Sequence, residues 1–273
     1  MLHYQIKEAS KKQGWLTLVL LHAFPFSSDM WENERKVFSG YAKVLTPDLP
    51  GFGGSPRLDE VSIANMAEEV RHLLDHLKIE EPVVIGGLSM GGYVALEFYN
   101  RYPGRVRGLM LFATRAGADS RETRETRFKT IREIEQNGLD AFAEKTVFKM
   151  VGKTTAVLKP GTVQGIKQSM LASKEQGVTD ALRAMAERAD LTDLLGAVMC
   201  PTLILAGEED GIIPPEEAAA MENKIPMAEM YRIPRVGHLI NLENPEMFTA
   251  LVESFLMTAI YKYSKQEMTH KSF

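Results

Sequence analysis

Ser89 sits between two glycines in Gly87-Leu88-Ser89-Met90-Gly91. The apolar run Val83-Val84-Ile85-Gly86 leads into it, and Gly92 to Phe98 carries on as a helical pattern. A serine on so tight a strand-to-helix turn is held in a strained conformation, and small neighbours let the strand and helix approach each other. The turn exposes Oγ at the carboxyl edge of a sheet and points the free N–H groups of the helix at any oxyanion forming there. The corresponding chemistry is nucleophilic attack on a carbonyl carbon.

A serine hydroxyl needs a base to take its proton. The chain has six histidines. His3 and His270 are terminal, His72 and His76 share a helix, and His22 ends a strand ahead of the serine. His238, in Val236-Gly237-His238, follows an expected last strand (Met230 to Ile233) and precedes a helix starting near Pro245, so its loop can turn the ring into a cleft. The imidazole in turn needs a carboxylate to fix its tautomer. Glu208, Glu209 and Asp210 all follow the strand pattern Thr202 to Gly207. Asp210 is the choice, because it opens an Asp-Gly turn and its short side chain holds a defined position.

Other patterns fail. Gly152-Lys153-Thr154 lacks the first glycine of a phosphate loop, with Val147 in its place, and Gly51-Phe52-Gly53 reaches Pro56 where a dinucleotide fingerprint needs glycine. His72 and His76 have a chelating spacing but no third ligand at motif distance, so they are expected to face solvent, and no metal is expected.

The elements that must position Ser89, Asp210 and His238 are legible as short apolar runs ending in turns: Leu16 to His22, Lys43 to Gly51, Pro82 to Ser89, Arg107 to Thr114 and Pro201 to Asp210. Helical patterns alternate with them. The clearest runs from Ser62 to Leu77, with Ile63, Met66, Ala67, Val70, Leu73, Leu74 and Leu77 on one stripe behind a serine cap. Alternation of this kind predicts an α/β fold with a mostly parallel sheet. It lapses from about Ala116 to Leu195, where helical stretches are separated by glycines and Pro160. That segment, 116–195, reads as a helical cap inserted into a core of residues 1–115 and 196–273. Its first stretch, rich in both charge signs, is expected to be a solvated helix face with i,i+4 pairs. Phe142, Phe148 and later methionines supply apolar faces for a lid. The polar tail after Ile260 is expected to fray.

The chain has 273 residues, 45% of them hydrophobic, enough to bury a substantial core. Its 32 basic and 36 acidic residues leave a formal charge of −4, which disfavours nucleic acid as a partner. The single cysteine, Cys200, excludes an intrachain disulfide and fits a reducing compartment. No signal-peptide pattern and no apolar run of membrane-spanning length occurs, so a cytoplasmic protein without a membrane partner is expected.

Taken together, Leu20 to Trp31 (LLHAFPFSSDMW), Thr46 to Ser55 (TPDLPGFGGS), Gly86 to Phe98 (GGLSMGGYVALEF), Pro201 to Pro215 (PTLILAGEEDGIIPP) and Val236 to Phe248 (VGHLINLENPEMF) resemble the α/β-hydrolase superfamily over nearly the whole chain. The order serine, acid, histidine is the one such hydrolases use. LSMGG, the two prolines after the acid turn and HLINLE look most similar to the 3-oxoadipate enol-lactonase and small carboxylesterase branch. The resemblance implies an eight-stranded sheet with the second strand antiparallel and a cap after the sixth.

It also implies a carboxylic ester hydrolase without a cofactor, acting through an acyl-enzyme on small, largely apolar esters or lactones. Ser89, His238 and Asp210 would be catalytic, and the N–H groups of Phe24 and Met90 the oxyanion hole. His22 and Asp48 would be structural, and Ala23 stands where glycine is common. A serine at position 89 excludes the alkyl-enzyme chemistry of relatives with aspartate there. Phe26, Arg115, Phe142 and Phe148 are candidate pocket residues, Arg115 as the cation that an enol-lactone of a dicarboxylic acid would need. Thioesterase, acyltransferase and carbon–carbon bond hydrolase activities remain open on the same three residues, as does a non-catalytic small-molecule receptor.

Overall fold

The computed structural model of the chain describes residues 1–10 and 16–260. The polar tail expected to fray lies outside them. Seven strands form one sheet: β1 (Tyr4–Lys7), β2 (Thr17–Leu21), β3 (Lys43–Pro47), β4 (Val83–Leu88), β5 (Val106–Phe112), β6 (Thr202–Gly207) and β7 (Ala228–Ile233), in the order β1-β3-β2-β4-β5-β6-β7. All neighbours are parallel except β1, which runs antiparallel to β3. The described residues thus hold one strand fewer than the eight expected, and the antiparallel strand comes first, not second. β1 went unread because half of it is exposed and its four residues, Tyr4 to Lys7, include two polar ones.

β4 and β6 are buried along their whole length, which is why they read as unbroken apolar runs. Helices α1 (Glu32–Phe38) and α2 (Ile63–His76) lie between strands, as does α3 (Met90–Arg101). The Ser62 hydroxyl caps α2 by accepting from the Asn65 N–H at 3.0 Å, and the apolar stripe from Ile63 to Leu74 is buried.

Successive strands lie on opposite sides of β2, with β3 on one and β4 on the other. At such a reversal the loops leaving the carboxyl ends of the strands splay apart and open a crevice. The loops in question here carry His22 to Phe26 after β2 and Ser89 after β4.

Between β5 and β6 come four helices and no strand: α4 (Arg121–Met150), α5 (Lys153–Leu158), α6 (Pro160–Leu171) and α7 (Glu175–Ala186). α4 packs on α6 and α7. At Gly138 its backbone leaves the helical region (φ 76°, ψ 177°), so α4 is two helices meeting at a bend. The charge run at its start forms the i,i+4 pair Arg121–Glu125 at 2.8 Å, but Arg127 turns inward to a buried carboxylate, Asp119, at 2.5 Å. After β6 follow α8 (Pro215–Glu222), α9 (Ile240–Glu243) and α10 (Pro245–Phe255), the last starting at Pro245 as its position after Asn244 predicts. No helix among the described residues is long and apolar enough to cross a membrane.

Candidate active site

Ser89 is the residue between β4 and α3, with φ 54° and ψ −111°, a region that side chains other than glycine rarely enter. Its backbone is held from several directions. Its N–H donates to Phe112 O at 2.9 Å, and its carbonyl accepts from the Thr114 hydroxyl at 2.9 Å and from the N–H groups of Gly92 and Tyr93. A side chain on Gly87 would overlap the Gly91 backbone, and one on Gly91 would overlap the carbonyls of Leu21 and His22. Gly87 therefore lets β4 and α3 close up on each other, and Gly91 lets the serine turn press against the end of β2 and the loop after it. Ser89 Oγ makes no hydrogen bond to a described residue.

His238 lies between β7 and α9 with its side chain 1% exposed. Its Nδ1 is 2.7 Å from Asp210 Oδ2. A carboxylate only accepts, so the proton between them sits on Nδ1, and in the neutral form of such a ring Nε2 carries the lone pair. Asp210 Oδ1 accepts from the N–H groups of Ile212 and Ile213 at 2.8 and 3.0 Å, which orients the carboxylate toward the ring. Glu209, its neighbour, points elsewhere: both its oxygens are taken by Thr154, the hydroxyl at 2.7 Å and the N–H at 2.8 Å.

Ser89 and His238 line one cavity of about 230 Å³, together with Phe24 and Phe142, whose rings meet edge to face at 6.0 Å. The N–H groups of Phe24, which lines the cavity, and of Met90, which follows Ser89 in the chain, have no acceptor among the described residues. His22 takes no part in the cavity. It is fully buried between Ala23 O, which its Nδ1–H reaches at 2.9 Å, and the Leu49 N–H, which donates to Nε2 at 2.9 Å; burial pushes its pKa down to about 4. Asp48 accepts from the N–H groups of Ser28 and Gly54 and from His3, tying the loops after β2 and β3 together. Although burial opposes it, these bonds hold the Asp48 carboxyl below its ordinary range. His72 and His76 are exposed, and among the described residues no group of three or more His, Cys, Asp or Glu side chains could hold a metal.

Three candidate pocket residues lie elsewhere. Phe26 is packed in the core, 1% exposed. Arg115 pairs with Asp119 at 2.8 Å and faces a separate cavity with Arg188, behind Tyr93. It shares Asp119 with Arg127 and Arg188, and Arg188 stacks over the Tyr93 ring at 4.1 Å. Phe148 is 58% exposed and lines an outer cavity of about 530 Å³ with Val147, Val163 and Leu171. Position 148 points away from Ser89 because Thr146, Lys149 and Met150 occupy the inward face of that helix.

The cavity residues that sequence reasoning missed come mostly from α4: Thr123, Thr126, Arg127 and Thr130, then Thr146 and Lys149, whereas Met150 is one of the methionines expected on an apolar lid face. A signal existed. Each group is spaced by three and four residues and so shares a helix face. The inward face is mostly polar, interrupted by Phe142 and Met150, so it carries no continuous apolar stripe.

The chain belongs to the α/β hydrolase fold family, whose model matches residues 17–245. It is similar to a thermophilic esterase from Thermogutta terrifontis, solved with malate bound, at 36% identity and a TM-score of 0.89, with 94% of this chain and 93% of that one covered. Among curated proteins, 3-oxoadipate enol-lactonase 1 of Acinetobacter baylyi is 26% identical, over 83% of this chain and 83% of its own length. The pimeloyl-[acyl-carrier protein] methyl ester esterase of Nitrosospira multiformis is 29% identical, over 87% and 93%.

Proposed function

We propose that the chain is a serine hydrolase of small carboxylic esters or lactones. One observation carries the reading: a serine held at positive φ and a histidine bonded to a buried aspartate open onto the same cavity. His238 Nε2 takes the Ser89 proton as Oγ bonds to the carbonyl carbon. The Phe24 and Met90 N–H groups hold the resulting oxyanion. The imidazolium, stabilised by Asp210, returns the proton to the departing alkoxide, leaving an acyl-serine. Nε2 then deprotonates a water that attacks the acyl carbon, Oγ recovers a proton, and the carboxylic acid leaves.

Residues 116–195 serve as a cap over this cavity, with residues 1–115 and 196–273 as the core. Phe24, Ser89 and His238 come from the core, whereas Arg127, Phe142 and Lys149 come from the inserted helices, so a substrate is held between the two. Apolar walls from Phe24, Phe142, Leu182 and Met185 favour short or medium chains, and among the described residues no carboxylate side chain lines the cavity. Arg127 and Lys149 favour a substrate that also bears a free carboxylate. The malate bound to the Thermogutta esterase and the 3-oxoadipate enol-lactone of the Acinetobacter relative agree with that preference.

The test is a panel of p-nitrophenyl esters, lactones, thioesters and vinylogous diketones scored by kcat/KM, with Ser89→Ala as the blank. Esters and lactones should lead, and Ser89→Ala should lower kcat by about 10³-fold or more. Turnover retained in the purified variant would overturn the role of Ser89. Thermal stabilisation by these compounds without any turnover would replace the enzyme with a receptor.

A further inference from the structure

The carboxylate of Glu243, at the end of α9, is 1% exposed and is not part of the cavity. Its Oε1 accepts from the N–H groups of Gly237 and Leu239 at 3.1 and 3.2 Å, and its Oε2 from those of Gly237 and Gly152 at 3.1 and 2.8 Å. The amides immediately before and after His238 therefore end on one side chain. So does the amide of Gly152, two residues beyond α4, whose last turn places Lys149 and Met150 in the cavity wall. The two backbones are otherwise in direct apposition: the His238 N–H donates to Met150 O at 3.1 Å, and a side chain on Gly237 would overlap the backbone of Gly152. The Glu243 carbonyl accepts from Lys159 Nζ at 2.8 Å, a second tie to the inserted helices.

We infer that Glu243 is a positioning residue that clamps the histidine turn and fastens it to the α4–α5 junction, so that the seating of the inserted helices and the aim of the imidazole change together. The inference rests on the proposed role of His238 as base. Its physical basis is the acceptor-only chemistry of a carboxylate. Three buried N–H groups converge on two oxygens, and each would be left unsatisfied if the acceptor were lost. A glutamine in its place has one oxygen and one NH2 group. Whichever way the amide is turned, a donor faces a donor, at Gly152 or at Leu239. Glu243→Gln thus cuts the junction at nearly constant volume. An imidazole displaced by even about 1 Å can cost about 10²-fold in rate.

The experiment compares wild type with Glu243→Gln on whichever ester the wild type turns over. The expected result is a fall of about 10- to 100-fold in kcat with KM within about twofold, in a protein that remains folded by circular dichroism at the assay temperature. The downfield proton resonance of the His238 Nδ1–H···Asp210 bond should broaden or shift in the same sample. That signal reads the pair without any substrate, so a failure of the ester reading and a failure of this one are separable. Wild-type kcat and an unchanged resonance in Glu243→Gln would overturn the inference, as would a loss of activity matched by the unfolded fraction. A second measurement needs no variant: in the wild type, amide hydrogen exchange at Gly152, Gly237 and Leu239 should report a single common opening. Exchange of Gly152 independent of the other two sinks the coupling even if the glutamine variant does not fold.

Discussion

The two walls of the cavity are built differently. On the sheet side, Ser89, Asp210 and His238 are buried: the Ser89 N–H bonds to Phe112 O at the end of β5, the Asp210 carboxylate accepts from the Ile212 and Ile213 N–H groups, and the His238 ring bonds to Asp210. On the inserted side, the wall is one face of α4 with Leu182 and Met185 of α7; Thr123, Lys149 and Phe142 are partly or largely exposed, and Lys149 has no carboxylate partner among the described residues. The first wall fixes these side chains as the proposed proton path would require. Away from the last turn of α4, which bonds to the histidine loop, the second is a helical surface, and under the proposed function it is where substrate preference would be set.

Substitutions on the two sides should therefore differ in size. Asp210→Asn keeps the shape of the acid but replaces an acceptor with a potential donor toward Nδ1, and kcat on a p-nitrophenyl ester should fall by about 10³- to 10⁴-fold. A loss under tenfold would mean that the sheet side is not the rigid partner described.

His22, also on the sheet side, gives a stability signature. Its pKa is about 4 when folded against 6.5 for the free group, because burial disfavours the charged form. Between those values the unfolded chain binds the extra proton, so stability is full above about pH 6.5 and declines as pH falls toward 4. The loss from this group is about 3 kcal/mol. Urea midpoints at pH 7, 5.5 and 4.5 should show that decline in the wild type and a shallower one in His22→Asn. Parallel slopes would refute the assignment.

Smaller effects belong to the inserted side. Lys149→Met should lower kcat/KM by about fivefold for a hemiester of a dicarboxylic acid and by less than about twofold for the neutral diester, the scale of an exposed ion pair. Equal losses on both substrates would remove the carboxylate preference. Phe148→Ser should leave both values within about twofold, since position 148 faces the outer cavity. A tenfold loss there would put that residue back in the substrate path.

Ser89 was legible because its constraint is local: glycines two residues to either side and an apolar strand leading in specify the turn. His238 followed by elimination among six histidines, and Asp210 was singled out from Glu208 and Glu209 by its length and its turn. Its bond to His238 and Glu209's bonds to Thr154 separate the neighbours in space. β1 was missed because a short, half-exposed edge strand carries little periodic signal. Arg115 and Arg127 show a different limit. Both are arginines near the start of the insertion, and both end on Asp119, but only Arg127 lines the cavity with Ser89, a distinction set by how α4 packs on α7.

What the amino-acid order determined by itself was the alternation of strand and helix, the bend that holds Ser89, and the residue types able to serve it, because these depend on spacing over a few residues. The tertiary structure alone decided which face of α4 looks inward, and that one buried carboxylate, Glu243, gathers amides from positions 152, 237 and 239. Those outcomes follow from close packing and from the need to satisfy buried polar groups, which join residues far apart in the chain and leave no mark on local sequence.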